Sequence, residues 1–302
     1  MGAFSIFDYD IMDCVYGGQG LKKIEFGQKF VSQHIYLFRC PLCDTPFEKV
    51  IGLSLVCPNG HAFDFSKKGT LYFLTKQANN EYDREMLLAR HRILQAGLFD
   101  QIIQEISGHL DDKSETILDV GCGEATPLTR LLQSRVSHDI AVGFDISKDG
   151  IQLATQQPVD AFFCVADLAH LPFNDHRFST IIDLFSPSAY GEFNRVIQPG
   201  GKLIKIIPNS GYLRELRELL FGQHQKNSTY SNQQVYQLFL KHYPNATINK
   251  INYQFEIPAE LRHDMMIMTP MHWGKDKYPN ADQLVDRLTS ITVDVSILIN
   301  QF

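Results

Sequence analysis

The chain has 302 residues, with 28 Lys and Arg against 34 Asp and Glu for a formal charge of -6, and 44% of its residues are hydrophobic. That much apolar surface excludes a disordered chain, and 21% charged residues with no apolar run near the ~18 residues of a membrane span exclude an integral membrane protein. The negative balance excludes simple bulk attraction to nucleic acid, so a polyanionic substrate would need a local basic surface.

At roughly 150 residues per domain, the length suggests one large domain plus something smaller. Residues 1–38 carry Asp8, Asp10 and Asp13 where a secretory leader needs a basic segment and an unbroken apolar stretch. They read as an unassigned N-terminal extension of a cytoplasmic protein. Residues 39–76 cluster Cys, Pro, Gly and aromatics in short apolar runs, a small β-rich module too short to build its own core, which a metal would hold together. Residues 77–115 read as linking helices: Met86, Leu87, Leu88, Ile93, Leu94, Leu98, Ile102 and Ile106 recur at helical spacing, with Gly97 as the break. From 116 to 302, short apolar runs alternate with amphipathic stretches, the signature of βαβ units. Strands are expected at 116–120, 140–145, 162–166, 180–185 and 202–207, with helices at 126–132, 150–155, 212–221 and 232–242. Late strands at 247–257 and 291–299 suggest an antiparallel edge. The expected fold class is α/β, a Rossmann-like sheet with helices on both faces preceded by a small β-rich zinc-binding module.

Cys40-Pro41-Leu42-Cys43 is followed after thirteen residues by Cys57-Pro58-Asn59-Gly60-His61. Two short spacings on turns that can face each other offer three thiols and one imidazole, a tetrahedral donor set for zinc. Four protein ligands leave no open position, so this zinc would be structural. The alternative is two unrelated cysteine pairs in a reduced protein, or a redox Cys-x-x-Cys. Cys14, Cys122 and Cys164 lie outside the pattern.

Ile117-Leu118-Asp119-Val120-Gly121-Cys122-Gly123-Glu124-Ala125 is an apolar strand running into a glycine turn before a helix. The glycines permit a sharp turn and close backbone approach by a ligand. A dinucleotide fingerprint wants a third glycine where Thr126 stands, which weakens a dehydrogenase reading. The acid before the turn, Asp119, instead suits a ligand with a cationic amino-acid end and an adenosine end, which describes S-adenosylmethionine. Asp145, ending the second strand, would accept the ribose hydroxyls, and Asp167, ending the third, the adenine amino group. Each aspartate alone would be an ordinary strand-end cap, but three at successive strand ends on one sheet edge point to a ligand.

With these motifs the chain resembles a class I methyltransferase, and more narrowly the RlmA group of 23S rRNA (guanine-N1)-methyltransferases, from about Phe38 to Phe302. The resemblance rests on the Cys40/Cys43/Cys57/His61 finger with His61-Ala62-Phe63-Asp64 and Lys67-Lys68-Gly69, and on the helix from Glu85-Met86 through Ala89-Arg90 to Gly97. Further along it rests on Asp119 to Glu124, Phe144-Asp145-Ile146-Ser147-Lys148, Leu171-Pro172-Phe173, Phe185-Ser186-Pro187, Pro199-Gly200-Gly201 and Met268-Thr269-Pro270. It implies methyl transfer from S-adenosylmethionine to guanine N1 in a hairpin of bacterial 23S rRNA, with the finger helping to hold the RNA. It also implies cofactor contacts from Phe99, Asp119, Gly121, Cys122, Gly123, Glu124, Asp145, Ile146, Asp167, Leu168 and Tyr212. Three positions depart from the group: Ala125 replaces a glycine, Phe99 offers no phenolic hydroxyl, and Tyr212 stands where a relative places a histidine.

Ser186 and Pro187, in the loop after the fourth strand, are candidates for gripping the target base. Asp183 reads equally as a catalytic base or as a structural acid inside an apolar strand. Between Arg39 and Lys76, five Lys and Arg (39, 49, 67, 68, 76) stand against three acids (44, 48, 64). Lys67 and Lys68, with Arg84 and Arg90 on the linking helix, are therefore candidate RNA contacts, a solvated helix face being the alternative for the two arginines. His272 and Trp273 are candidates for the base pocket. A methyltransferase acting on tRNA or a small molecule, and a zinc-dependent RNA-binding protein with a non-catalytic methyltransferase fold, are the competing functions; self-association into a homodimer stays open.

Overall fold

Helix α1 (Lys23–Gln33) opens the computed structural model, which describes residues 21–75, 83–221, 231–269 and 285–302. Glu25 in its first turn accepts a hydrogen bond from Lys22 N at 3.1 Å, an acid where the helix dipole favours one. Gly27 is required by proximity: a Cβ there would lie 2.1 Å from Gly69 O, and a Cβ on Gly69 would lie 2.1 Å from Lys23 O. Helix and turn meet backbone to backbone, so part of the extension that sequence left unassigned is built into the cysteine-bearing module. Strands β1 (Lys49–Ile51), β2 (Ser54–Val56) and β3 (Ala62–Asp64) form an antiparallel ribbon. The two-residue strand β4 (Leu71–Tyr72) follows.

Helix α2 (Arg84–Gln95) begins where Asp83 accepts a hydrogen bond from Met86 N at 2.7 Å. It ends before Gly97, whose φ of +101 permits the reversal into α3 (Asp100–Gly108). The α/β alternation then appears as β5 (Thr116–Val120), α4 (Thr126–Ser134), β6 (Ile140–Asp145), α5 (Lys148–Ala154), β7 (Phe162–Val165), β8 (Phe178–Leu184), α6 (Tyr190–Val196) and β9 (Ile197–Pro208). Helices α7 (Arg214–Phe221) and α8 (Gln233–His242), strand β10 (Thr247–Glu256), helix α9 (Arg262–Ile267) and strand β11 (Ser290–Gln301) complete the described elements.

The large sheet runs β10-β11-β9-β8-β5-β6-β7-β4. Strands β9, β8, β5, β6, β7 and β4 pair in parallel, while β11 inserts antiparallel between β9 and β10. The expected antiparallel edge is present. The opposite edge was not foreseen, for β4 comes from the cysteine-bearing module and pairs with β7 through Leu71 and Tyr72.

Successive strand residues point to opposite faces, so each strand is apolar on both sides and feeds two cores. Ile117, Ile182 and Ile204 join α2, α3 and α4 on one face. Leu118, Val142 and Phe144 pack on the other with Phe38, Phe47 and Phe73 of the cysteine-bearing module. The ring of Phe38 lies 5.5 Å from that of Phe162 and 5.8 Å from that of Phe173. A metal was expected to compensate for the module's missing core; in the structure the module also shares the core of the sheet. Among the described residues no helix is long and apolar enough to cross a membrane.

Candidate functional site: a metal centre beside a cofactor cavity

Asp44, at φ +57, turns the chain back after Cys43, and the Leu42 amide donates to Cys40 Sγ at 3.4 Å. The two knuckles bring Cys40 Sγ and Cys57 Sγ each to 3.5 Å from His61 Nδ1, and Cys43 Sγ to 3.8 Å from Cys57 Sγ. All four ligand atoms lie within 4.8 Å of one another. A tetrahedron with arms of about 2.3 Å has edges of about 3.8 Å, so the donor set fits zinc and leaves no position for a reactant. Burial pushes the Cys40 thiol up to about 12, whereas hydrogen bonding from Thr45 and Asn59 brings Cys43 down to about 5. A dication is what allows the buried thiol to ionise as well.

The first knuckle rests on the segment that follows β7. Arg39 N donates to Pro172 O at 3.0 Å, and Asn174 Nδ2 donates to Tyr36 O and Phe38 O at 2.9 Å each. His170 Nε2 stands 3.1 Å from Pro41 O, and because a carbonyl only accepts, that nitrogen carries the proton. Asp167, Leu168 and Ala169 of the same segment line the principal cavity, so the metal centre sits against its wall.

This cavity encloses about 500 Å³ at the C-terminal ends of β5, β6, β7 and β8, the edge where open α/β sheets hold their ligands. Gly121 and Gly123, at φ +64 and +55, make the turn after β5. A Cβ on Gly121 would fall 2.1 Å from Ser186 Oγ, so glycine is needed there for the loop after β8 to close in. Asp145 ties the turn to the end of β6, its Oδ2 accepting from Gly123 N at 2.8 Å and its Oδ1 from Ser147 N at 2.7 Å. Asp119 is only 5% exposed and has no hydrogen-bond partner among the described residues. Burial, reinforced by Asp145, Asp183 and Glu124, raises its carboxyl to about 7. A cationic ligand would relieve that strain. Cys122, Ile146, Asp167 and Leu168 also border the cavity.

The remaining candidates are placed differently. Glu124 borders the cavity, but its carboxylate accepts from Thr126 N and Oγ1 at 3.1 and 2.6 Å and from Gln157 at 3.0 Å, with His91 Nδ1 at 2.7 Å. It braces the turn. Phe99 and Tyr212 do not line the cavity; their rings stand 5.6 and 5.1 Å from that of Phe185, which does. Asp183 is also off the cavity wall, fully enclosed and paired with the equally buried Lys205 at 2.7 Å. Lys205 donates further to Ser186 O at 2.8 Å, and Asp183 accepts from Ser186 N at 3.1 Å. Burial raises the Asp183 carboxyl to about 6 against the pull of Lys205. The pair clamps the loop in which Phe185 adopts φ +64, a costly backbone for a bulky residue. Ser186 and Pro187 line the cavity, joined by Ser188, which the sequence reading overlooked although it is the next polar residue in the same loop.

The basic candidates separate. Arg84 is exposed on α2, while Arg90, two turns on, lines the cavity. Lys67 and Lys68 are exposed, and Lys68 adjoins Ala161 and Phe162 at the entry to β7. That is the end of the strand opposite the cavity, about 13 Å away at the rise of a strand. Pro270, His272 and Trp273 lie outside the described residues.

Comparison with known proteins agrees with this geometry. A family model described as a methyltransferase domain matches residues 111–268, and one described as the RlmA N-terminal region matches residues 38–79. A Bacillus subtilis protein bearing the name of a 23S rRNA (guanine-N1)-methyltransferase is 37% identical over 274 residues, which covers 87% of this chain and 96% of that protein. A Micromonospora griseorubida protein named for the same activity is 28% identical over 204 residues, 60% of this chain and 69% of its own. A Streptomyces fradiae protein, a 23S rRNA (guanine(748)-N1)-methyltransferase by name, is 27% identical over 189 residues, 60% of this chain and 67% of its own. The chain belongs to the RlmA-type methyltransferases, in which a zinc-binding ribbon precedes a class I, S-adenosylmethionine-dependent methyltransferase domain.

Proposed function

We propose that this protein transfers a methyl group from S-adenosylmethionine to N1 of one guanine in a hairpin of bacterial 23S rRNA, acting in the cytoplasm. The observation that carries the reading is a zinc-type ribbon packed against the wall of the cofactor cavity in a chain whose relatives bear the name of this reaction. In this reading residues 39–76 hold RNA, 77–115 link, and 116–302 carry out methyl transfer. Asp145 holds the ribose and Asp167 the adenine. Ser186, Pro187 and Ser188 face the incoming base, and single-stranded loop guanines are the ones that can be splayed into such a site.

Guanine N1 is a poor nucleophile while it holds its proton. Aligning it with the donor methyl contributes up to about 7–11 kcal/mol in favourable cases, and a proton acceptor adds about 10²–10⁴-fold. Enclosed Asp183 serves by fixing the loop rather than by touching the base. The three departures from the group leave the site intact: Ala125 keeps the turn, and Phe99 and Tyr212 stand behind Phe185. This argues against a non-catalytic relic.

The test is methylation of 23S rRNA from cells lacking the gene by the zinc-loaded protein, with the product located by mass mapping. One N1-methylated guanine in a hairpin is expected. Methylation of tRNA alone, or of no RNA by a protein that binds the cofactor, would overturn the reading.

A further inference from the structure

The cavity wall has a one-sided charge problem. Asp119, Asp145 and Glu124 border it, and Asp183 lies close enough to raise the Asp119 carboxyl with them. The nearby basic side chains are committed: Lys205 to Asp183 and Ser186, and His91 to Glu124. Arg90 is the one basic side chain on the wall among the described residues. It forms no hydrogen bond and no ion pair there, although its charge is felt at Asp145 and at Tyr212. A half-buried guanidinium without a partner has five donors to satisfy.

Its position is not free to drift. Arg90 and Leu87, one helical turn apart on α2, both face the cavity, while Met86, Ala89 and Ile93 are buried on the side that packs inward. Arg92 holds α2 to α9 through two hydrogen bonds of 2.6 Å to the carboxylate of Asp264. The cavity therefore presents an unpartnered carboxylate, Asp119, and an unpartnered guanidinium, Arg90, on anchored elements. A free α-amino acid end carries the matching pair, one ammonium and one carboxylate.

We propose that Arg90 binds the α-carboxylate of the amino-acid end of the cofactor, with the α-ammonium taken by Asp119. The proposal rests on the cavity being the S-adenosylmethionine site, and it withdraws Arg90 from the RNA surface on which sequence placed it. A guanidinium meets a carboxylate with two parallel hydrogen bonds, which fixes the orientation of the methionine arm and with it the direction in which the methyl group points.

The full chain, loaded with zinc, is titrated by calorimetry with S-adenosylhomocysteine and with methylthioadenosine, which lacks the amino-acid end. Arg90→Met should weaken S-adenosylhomocysteine about ten- to a hundredfold and leave methylthioadenosine unchanged. Arg90→Lys should fall between, since an ammonium cannot form the paired bonds. Thermal midpoints identify any variant that has failed to fold, and Arg90→Lys, which keeps the charge, then carries the comparison. Unchanged S-adenosylhomocysteine affinity in folded Arg90→Met overturns the proposal, and does so even if the KM for RNA rises, which would return Arg90 to the RNA. Equal loss for both ligands also overturns it. Failure of the unsubstituted protein to bind either ligand would instead refute the reading of the cavity itself.

Discussion

Replacing Asp145 with alanine should separate the two duties of that carboxylate. In the protein without ligand it accepts two backbone hydrogen bonds, from Gly123 at 2.8 Å and Ser147 at 2.7 Å. Leaving a buried donor without an acceptor costs about 1–3 kcal/mol, but the cavity is open enough for water to replace part of that, so a loss near the lower limit for each bond, about 2 kcal/mol in all, is expected. With cofactor bound, the ribose hydroxyls lose a charged acceptor worth about 1.5–3 kcal/mol, a factor of roughly ten to a hundred in affinity. Asp145→Asn is an informative companion. Its amide offers one acceptor and turns an NH2 toward the other backbone N–H, so it should destabilise the turn at least as much while keeping some grip on the ribose. Calorimetry of S-adenosylhomocysteine binding beside urea unfolding measures both quantities on one preparation. Unchanged affinity in a folded Asp145→Ala protein would refute the ribose assignment, and unchanged stability would show that the two backbone bonds do not hold the turn.

Elemental analysis should find one zinc per chain, and Cys57→Ser should release it; because the ribbon shares the sheet's core, the whole protein should melt earlier, not residues 39–76 alone. Gly121→Ala should cost more than Gly123→Ala in urea unfolding. Both incur the ~1–2 kcal/mol of a left-handed backbone, but only the first drives a Cβ into Ser186 Oγ, the space around the second being open. Asp119, held up to about 7 against a usual 3.8, keeps a proton in the folded protein that the unfolded chain releases. Folding stability should therefore fall as pH rises from 3.8 to about 7 and then level off. Affinity for S-adenosylmethionine, whose ammonium selects the ionised acid, should rise through that same upper value. Asp119→Asn should flatten both profiles; a slope that survives it assigns the titration to another group.

The parts of the site that depend on local chemistry were legible in the sequence. A strand ending in Asp119 and two glycines, an acid closing the next strand, and paired cysteine spacings each force a local geometry, and the structure has all three. What depends on packing at a distance was not. Strand β4 has two residues, too few to leave an alternation in the sequence, and is defined by its pairing with β7. Helix α1 meets Gly69 through a bare backbone that leaves no apolar signature. Phe99 and Tyr212 share a ring cluster with Phe185, which has a left-handed backbone and is the one of the three rings on the cavity wall. Ala125 sits at φ +65, a left-handed backbone that glycine adopts freely and where a side chain is tolerated at a cost.

The pairing of β4 with β7, with the phenylalanine cluster behind it, fastens the cysteine-bearing module to the sheet through both backbone and core. A recognition module on a flexible tether could grip its RNA anywhere and let the target nucleotide search. If the module holds a hairpin as proposed, its attachment to the sheet would make it act as a ruler. For RNA gripped on the ribbon, the distance from that grip to the cavity is set by protein covalent structure and packing, so only a hairpin whose stem length and loop geometry span it can present a guanine. Selection of one nucleotide among many then requires little reading of base sequence. Lengthening the stem by a single base pair would misplace the guanine as effectively as mutating it.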